Sequence, residues 1–350
     1  MKPKNPTIDI AKGLAMILVV YGHVIEHGMA PFGGDFFQNP AFKAIYTFHM
    51  PLFFFVSGYL MSGSLSQHSL RQVFQSRVKS LLVPFVVLGL LCALVTNALN
   101  ALFHVPSVPI FQNLAVQLFF DPSVWFLWVL FAVSALLMYS VALRKFVGWG
   151  GFAGVYVLLM ALPYSYAALY HIKWFYLFYL AGYGFHQRPI KVSGKGINAF
   201  VFVLALGFFT WFLTFWRAND YVYINKMHFA PDDYIAQVLR LAYRYIIGFL
   251  GIVIVFYAAA FLSRTRISSL LGAVGVYALD IYIVQTFLVE GVYPRLVHKA
   301  GWCLDFNSPQ VLYIMAPLMT MVFVGACMLI SKFFIRKVPL FNRLLLGGRA

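Results

Sequence analysis

Residues 8–27 read IDIAKGLAMILVVYGHVIEH. The stretch is apolar for long enough to cross a membrane, which takes about 20 residues. Yet Lys12 stands near one end, His23 deep in the second half, and Glu26 and His27 just beyond. Lys12 and His23 are eleven residues apart. At about 100° per residue they return to within roughly 20° of one another after three turns, about 16 Å apart along the axis. Glu26 and His27 come after His23 at one-turn spacing and continue the stripe.

The rest of the chain sets the context for that helix. Of its 350 residues, 62% are hydrophobic and only 10% charged, with a mean hydropathy of +0.82. A soluble domain carries about a quarter charged residues. The apolar runs are near helix-span length and lack the ten-residue alternation of membrane β-strands. The expected fold is therefore all-α: a polytopic transmembrane helix bundle, a single domain over residues 1–350 with no separate soluble domain. A net charge of +16 would suggest nucleic acid in a soluble protein. Here cytoplasmic loops rich in Lys and Arg explain it, and no nucleic-acid partner is expected. Cys92, Cys303 and Cys327 show no disulfide or metal-ligand spacing, so no metal is expected. Lys2 and Lys4 before an apolar run resemble a signal peptide, but Asp9, Lys12 and His23 interrupt it, and an uncleaved first span is the better reading.

Hydropathy predicts about ten spans, near 10–27, 43–62, 80–102, 124–142, 149–164, 172–186, 197–216, 242–262, 272–290 and 311–332. With the N-terminus in the cytoplasm, most Lys and Arg fall on inner segments, among them Arg71, Arg77, Lys79, Arg144, Lys145, Arg188, Lys191, Arg264, Arg266, Lys332, Arg336 and Arg349. Asp35, Asp121, Asp220, Asp232, Asp233 and Asp305 fall outside, with Lys226 among the few outer cations. Both termini are thus predicted to be cytoplasmic. The longest loop, 217–240, is too short for a domain. No internal repeat is visible, which disfavours repeat-built transporter folds.

The second span begins FHMPLFFFVSGYL, residues 48–60. It runs antiparallel to the first, so His49 is expected at a depth similar to that of His23. Packing accounts for part of this pattern: Lys12 as a snorkelling anchor, His23 as an interhelical hydrogen bond, Pro51 as a kink and Gly58 as a close contact. Ionisable groups within spans are costly and are functional by default.

DIAKGLAMILVVYGHV together with FHMPLFFFVSGYL resembles the membrane-bound acyltransferase-3 family, most closely its fucose-4-O-acetylase-like branch. The family pattern of a cation, ten residues and a histidine matches Lys12 and His23, with Lys where many members carry Arg. Its second motif matches His49, Pro51, Phe54, Ser57 and Gly58. SRVKSLLVPF (76–85) and VWFLWVLF (124–131) resemble its entries into the third and fourth spans. ALDIYIVQTFL (278–288) keeps Tyr282 of a Tyr-Leu-x-His pattern but has Gln285 in the His place. The resemblance implies a multi-pass O-acyltransferase of the bacterial inner (plasma) membrane. It would move acetyl from acetyl-CoA to a hydroxyl of a surface or exported saccharide, such as an O-antigen, an exopolysaccharide or a lipid-linked glycan.

The chemistry of the residues fits that reaction. A sugar hydroxyl needs a general base, and histidine is suited to the task. His23 and His49 are the candidate catalytic residues, with Glu26, His49 or a backbone carbonyl to orient His23, and His49 or Ser57 to donate to the oxyanion. His23 as a transient acyl carrier is the other route. Lys12, Arg71, Arg77 and Lys79 are candidates for the CoA phosphates. Glu26, Ser57, Tyr59, Trp125, Tyr282 and Gln285, with Lys12, are candidates for substrate contact, and Arg217, Arg240 and Arg244 for gripping an anionic or lipid-diphosphate-linked glycan. Asp280, inside the ninth span, is expected to be neutral or paired, with no partner evident in the sequence. The competing readings are a transporter of a small solute or glycan intermediate, with His23, Asp280 and Lys12 along its path, and a structural partner in glycan export.

Overall fold

A computed structural model describes residues 5–106, 108–162, 168–189, 195–225 and 233–348. Lys2, Lys4, Lys191, Lys226, Asp232 and Arg349, which entered the orientation argument, lie outside the described residues. Among the described residues there is no strand. The chain is an all-α helix bundle.

The first helix, α1 (Pro6–Met29), is capped by Asn5, whose side chain accepts from the Thr7 amide, with Pro6 at the first turn. It is the central element, packing against α2 (Pro40–Leu65), α10 (Tyr234–Leu262), α11 (Ser268–Val276), α12 (Ala278–Phe287) and α14 (Ala316–Ile330). Ile10, Ala11, Ala15, Val20, Val24 and Ile25 have almost no exposure, as expected for a helix apolar on most faces. Asn39 caps α2 through the Ala41 and Phe42 amides, both at 3.1 Å, and donates to the Phe306 carbonyl at 2.9 Å. One side chain thus starts the helix and anchors it to a loop far along the sequence.

Between them lie α3 (Leu70–Arg77), α4 (Val83–Leu102), α5 (Ile110–Ala115), α6 (Trp125–Val147), α7 (Gly150–Ala161), α8 (Leu169–Gln187) and α9 (Lys195–Leu213). After α12 come α13 (Tyr293–Ala300), α14 and α15 (Pro339–Leu346). Two glycine pairs set the tightest contacts. A methyl group on Gly58 would overlap the Tyr179 carbonyl, and one on Gly182 the Phe55 carbonyl, so α2 and α8 meet backbone to backbone. Gly13 and Gly275 do the same for α1 and α11. Between apolar helices, such close approach replaces the hydrophobic effect as the source of attraction.

Among the described residues, six helical runs are long and apolar enough to cross a membrane. They are Pro6–Phe32, Pro40–Leu65, Leu70–Leu102, Ile110–Val147, Tyr234–Leu262 and Val311–Ile335. A seventh is the pair Ser268–Val276 and Ala278–Ala300, bent by 66°. The runs expected at 149–164 and 197–216 appear as shorter apolar helices, Gly150–Ala161 and Asn198–Leu213. The one expected at 172–186 is α8, in which His171, Lys173 and four tyrosines dilute the apolar character.

The bent pair explains Asp280. The helix breaks at Tyr277, which places Asp280 in the first turn of α12, where the helix dipole favours an anion. Its oxygens accept from Arg336 Nε at 2.7 Å, Arg336 Nη2 at 3.1 Å and Ser331 Oγ at 2.5 Å. Arg336 also lies over the Tyr277 ring, 4.0 Å from its centroid. Asp280 therefore has a partner, one that a sequence separation of 56 residues hides. This pair, with Asp280 buried and Arg336 half-buried, locks α12 to the C-terminal segment and lines none of the three cavities described below.

Candidate active site

At the His23 end of the bundle lies a cavity of about 770 Å³. Helix α1 contributes His23, Glu26 and His27, and α2 contributes Tyr46 and His49. The π-helical turn Leu288–Val292 contributes Glu290. A π turn inserts an extra residue and rotates the side chains after it about the helix axis, and here it carries Glu290 to the α1 stripe. His23 Nδ1 is 3.4 Å from Glu26 Oε2, and His23 Nε2 is 3.7 Å from Glu290 Oε1. Both carboxylates are held in turn. Tyr46 donates to Glu26 Oε2 at 2.8 Å, and Gln285 Nε2 donates to Glu290 Oε1 at 2.6 Å.

His49 is buried, and its Nδ1 lies 2.8 Å from the Ile45 carbonyl oxygen one turn back. A carbonyl only accepts, so Nδ1 carries the hydrogen and the neutral ring presents Nε2 as a bare lone pair. That tautomer is a proton acceptor, and His49 does not act as an oxyanion donor in this state. The Tyr46 ring adjoins both histidines, with centroids 4.7 Å from His49 and 6.4 Å from His23. Tyr223, from the loop after α9, also lines the cavity. Burial and the nearby Glu26 carboxylate push its phenol well above the usual range, so it remains a hydrogen donor.

A second, narrower cavity of about 160 Å³ runs toward the Lys12 end and is lined by Lys12, Ser57, Arg77 and Tyr282 among others. It shares Val19, Met50 and Tyr282 with the first cavity. A third, of about 670 Å³, opens at the Lys12 end beside Arg77, Lys79, Gln72 and His68. Arg77 lines both the second and the third. Lys12 is paired with Asp9 at 2.7 Å. The Lys12–His23 stripe of α1 thus runs along the first two chambers, and Arg77 is shared between the second and the third.

The structure brings His23, His49, Glu26, Trp125 and Tyr282 to the first chamber, Lys12 and Ser57 to the second, and Arg77 and Lys79 to the third. Gln285 is fully buried behind Glu290 and acts on the chamber only through it. Arg71 is exposed, and Tyr59 packs its ring against His186 at 4.6 Å; neither lines any of the three chambers. The three arginines expected to grip an anionic glycan are engaged elsewhere. Arg244 Nη2 donates to the Asn219 carbonyl at 2.7 Å, Arg240 faces Asp220 at 3.6 Å, and Arg217 donates to the Thr214 carbonyl at 3.3 Å. Their charges are consumed in folding the loop after α9, so they line no chamber. Glu290 and Tyr46 were missed by sequence reasoning. The signal for Glu290 was an acid inside an apolar run, and for Tyr46 its place one turn before His49. His23, Glu26 and His27 bring potential ligand atoms within 4.8 Å of one another, the one such cluster among the described residues.

A family model described as an acyltransferase domain matches residues 5–335. The chain belongs to the acyltransferase-3 family. Lys12, His23, His49, Pro51 and Ser57, in α1 and α2, line the first two chambers. The chain is 33% identical over 189 residues to the nodulation protein NolL of Sinorhizobium fredii, covering 53% of this chain and 49% of that protein. It is 28% identical over 244 residues to NolL of Mesorhizobium japonicum, covering 68% of this chain and 63% of that protein. The chain therefore spans about half to three-fifths of the length of these relatives. No solved structure matches the chain.

Proposed function

We propose that the protein is an integral-membrane O-acyltransferase that carries acetyl from cytoplasmic acetyl-CoA to a saccharide hydroxyl. The observation that carries this reading is the run of three chambers with shared walls, from Arg77 and Lys79 at one end to His23 and His49 at the other. The Lys12 end faces the cytoplasm, as the basic-residue pattern predicts. CoA phosphates dock beside Lys79 and Arg77 in the wide inner chamber. Lys12 exchanges Asp9 for the donor. The narrow chamber past Ser57 admits an extended chain and excludes a nucleotide, so only the thioester end reaches Tyr282 and His23.

In the outer chamber the acceptor hydroxyl loses its proton to His49 Nε2 while its oxygen attacks the thioester carbonyl. The new C–O bond replaces the C–S bond, and the departing thiolate takes a proton from His23 Nε2. Glu26 and Glu290 flank the His23 ring, fix its plane and stabilise the positive charge that it holds before donating. His23 as base would have to turn away from one of these carboxylates, whereas His49 needs no rearrangement. The proton taken by His49 returns to His23, completing the cycle as acetyl ester plus free CoA thiol. Tyr46 lies beside both rings.

The test traces acetyl label from acetyl-CoA into glycan in membranes. General-base removal costs about 10²- to 10⁴-fold, so His49→Ala and His23→Ala are each expected to lose nearly all labelling at unchanged protein abundance. Full labelling in His49→Ala would overturn its role as base. Labelling absent from the wild type with every saccharide tried would overturn the acyltransferase reading.

A further inference from the structure

The outer chamber has a charge pattern opposite to that of the chain. The protein has 26 Lys and Arg against 10 Asp and Glu. Four of those acids, Glu26, Asp121, Asp220 and Glu290, line this one chamber, and no Lys or Arg among the described residues does. From the charge pattern we infer that the acceptor unit entering the chamber carries no negative charge: it is a neutral or amine-bearing sugar, and uronates, sulfated and phosphorylated units are rejected. This rests on the acyltransferase reading for its biological meaning, but its physical content is a statement about binding.

Taken together, the charged and titratable neighbours leave the lining net negative. Glu26 and Glu290 are held by Tyr46 and Gln285 and face the His23 ring. Asp220 accepts from the Arg217 amide at 2.8 Å and faces Arg240 at 3.6 Å, yet that guanidinium stays outside the chamber lining. Asp121 lies beside Pro122 and Ser123 in the turn before α6. The ring of His23, when it holds its proton, offsets one of the four carboxylates, so the lining stays net negative, and the phenols of Tyr46, Tyr170, Tyr221, Tyr223 and Tyr282 are neutral. Ionised carboxylates are acceptors only. They need hydroxyl or ammonium donors, which a neutral or amino sugar supplies in excess.

The apolar part of the lining fits the same ligand. Trp125 stacks on His171 with centroids 4.1 Å apart and on Phe175 at 5.7 Å. Trp174 and Trp216 complete an aromatic wall. Flat aromatic faces suit the C–H face of a pyranose, while the carboxylates reach its hydroxyl edge. An anionic substituent among these acids meets like charges in a partly closed site. That contact discriminates by about 100-fold when fully desolvated, and by about tenfold at a solvated edge.

The experiment uses the purified full-length protein in detergent and a matched pair of probes. One is a neutral β-glucan oligosaccharide; the other is the same oligosaccharide oxidised to the carboxylate at C6. Binding is read by quenching of tryptophan fluorescence, with Trp125, Trp174 and Trp216 in the chamber. The neutral probe is expected to bind at least about tenfold more tightly. Asp121→Lys, at a residue outside the proposed catalytic set, is expected to narrow that gap at unchanged Tm. Equal or tighter binding of the oxidised probe overturns the inference, as does a neutral probe that fails to quench at any concentration. If the neutral probe binds selectively but takes no acetyl label, the charge rule stands and the transfer reading falls.

Discussion

Glu290 is the residue through which the site reading is most exposed to refutation. In Glu290→Gln the side chain keeps its length and its oxygen, so the donation from Gln285 at 2.6 Å survives. Only the charge facing His23 Nε2 at 3.7 Å is lost. Two unit charges at that distance interact by about 4.5 kcal/mol at an effective dielectric constant near 20. The His23 and Glu290 side chains are 23% and 21% exposed, so water screens part of this. A net loss of about 1–2 kcal/mol is the working figure. The charge matters when His23 holds the proton for the leaving thiolate, so the loss falls on the barrier. At about 1.36 kcal/mol per tenfold, kcat is expected to drop about fivefold to 30-fold. The KM for acetyl-CoA should stay constant, because the phosphates dock in another chamber. The assay is initial-rate label transfer in proteoliposomes across acetyl-CoA concentrations. Unchanged kcat, or a rise in KM with kcat preserved, would refute the assignment.

Lys12→Ala, by removing a phosphate partner, is expected to raise the KM for acetyl-CoA about tenfold with little change in kcat; unchanged KM in the same assay would remove Lys12 from the donor site. Gly58→Ala forces α2 away from the Tyr179 carbonyl of α8, and a loss of about 1–3 kcal/mol, visible as a lower Tm in detergent, is expected. Arg336→Ala leaves the buried Asp280 carboxylate with Ser331 but no cation, at a cost of about 2–3 kcal/mol, below that of a fully buried pair. The double variant with Asp280→Asn is expected to recover much of that Tm, and no recovery would mean that the pair is not coupled as the distances indicate.

Much of the architecture is legible before any coordinate is seen. Apolar run length, the 3.6-residue period and the Lys12–His23 spacing are local properties, and they predict a helix bundle with one polar stripe on α1. The neighbourhood of His23 and His49 is likewise legible, because two short-looped antiparallel helices bring similar depths together. The site's remaining members are hidden for specific reasons. Glu290 meets His23 only because the chain breaks at Tyr277 and widens into a π turn at Leu288–Val292. Pro294, which lacks the amide that would bond the Glu290 carbonyl, marks the π turn, but no proline marks the break at Tyr277. Arg217, Arg240 and Arg244 look like ligand-gripping cations along the chain, and only the folded loop shows their partners.

Hydropathy and helical periodicity act within a few residues, so the sequence by itself determined that this is a membrane-type helical protein with Lys12 and His23 on one face of its first helix. The groups opposite that stripe depend on residues hundreds of positions away and on bends whose cost is offset by packing. Tertiary structure alone decided that His23 stands between two carboxylates, and that three chambers, each sharing lining residues with the next, lie between the basic end and the acidic one.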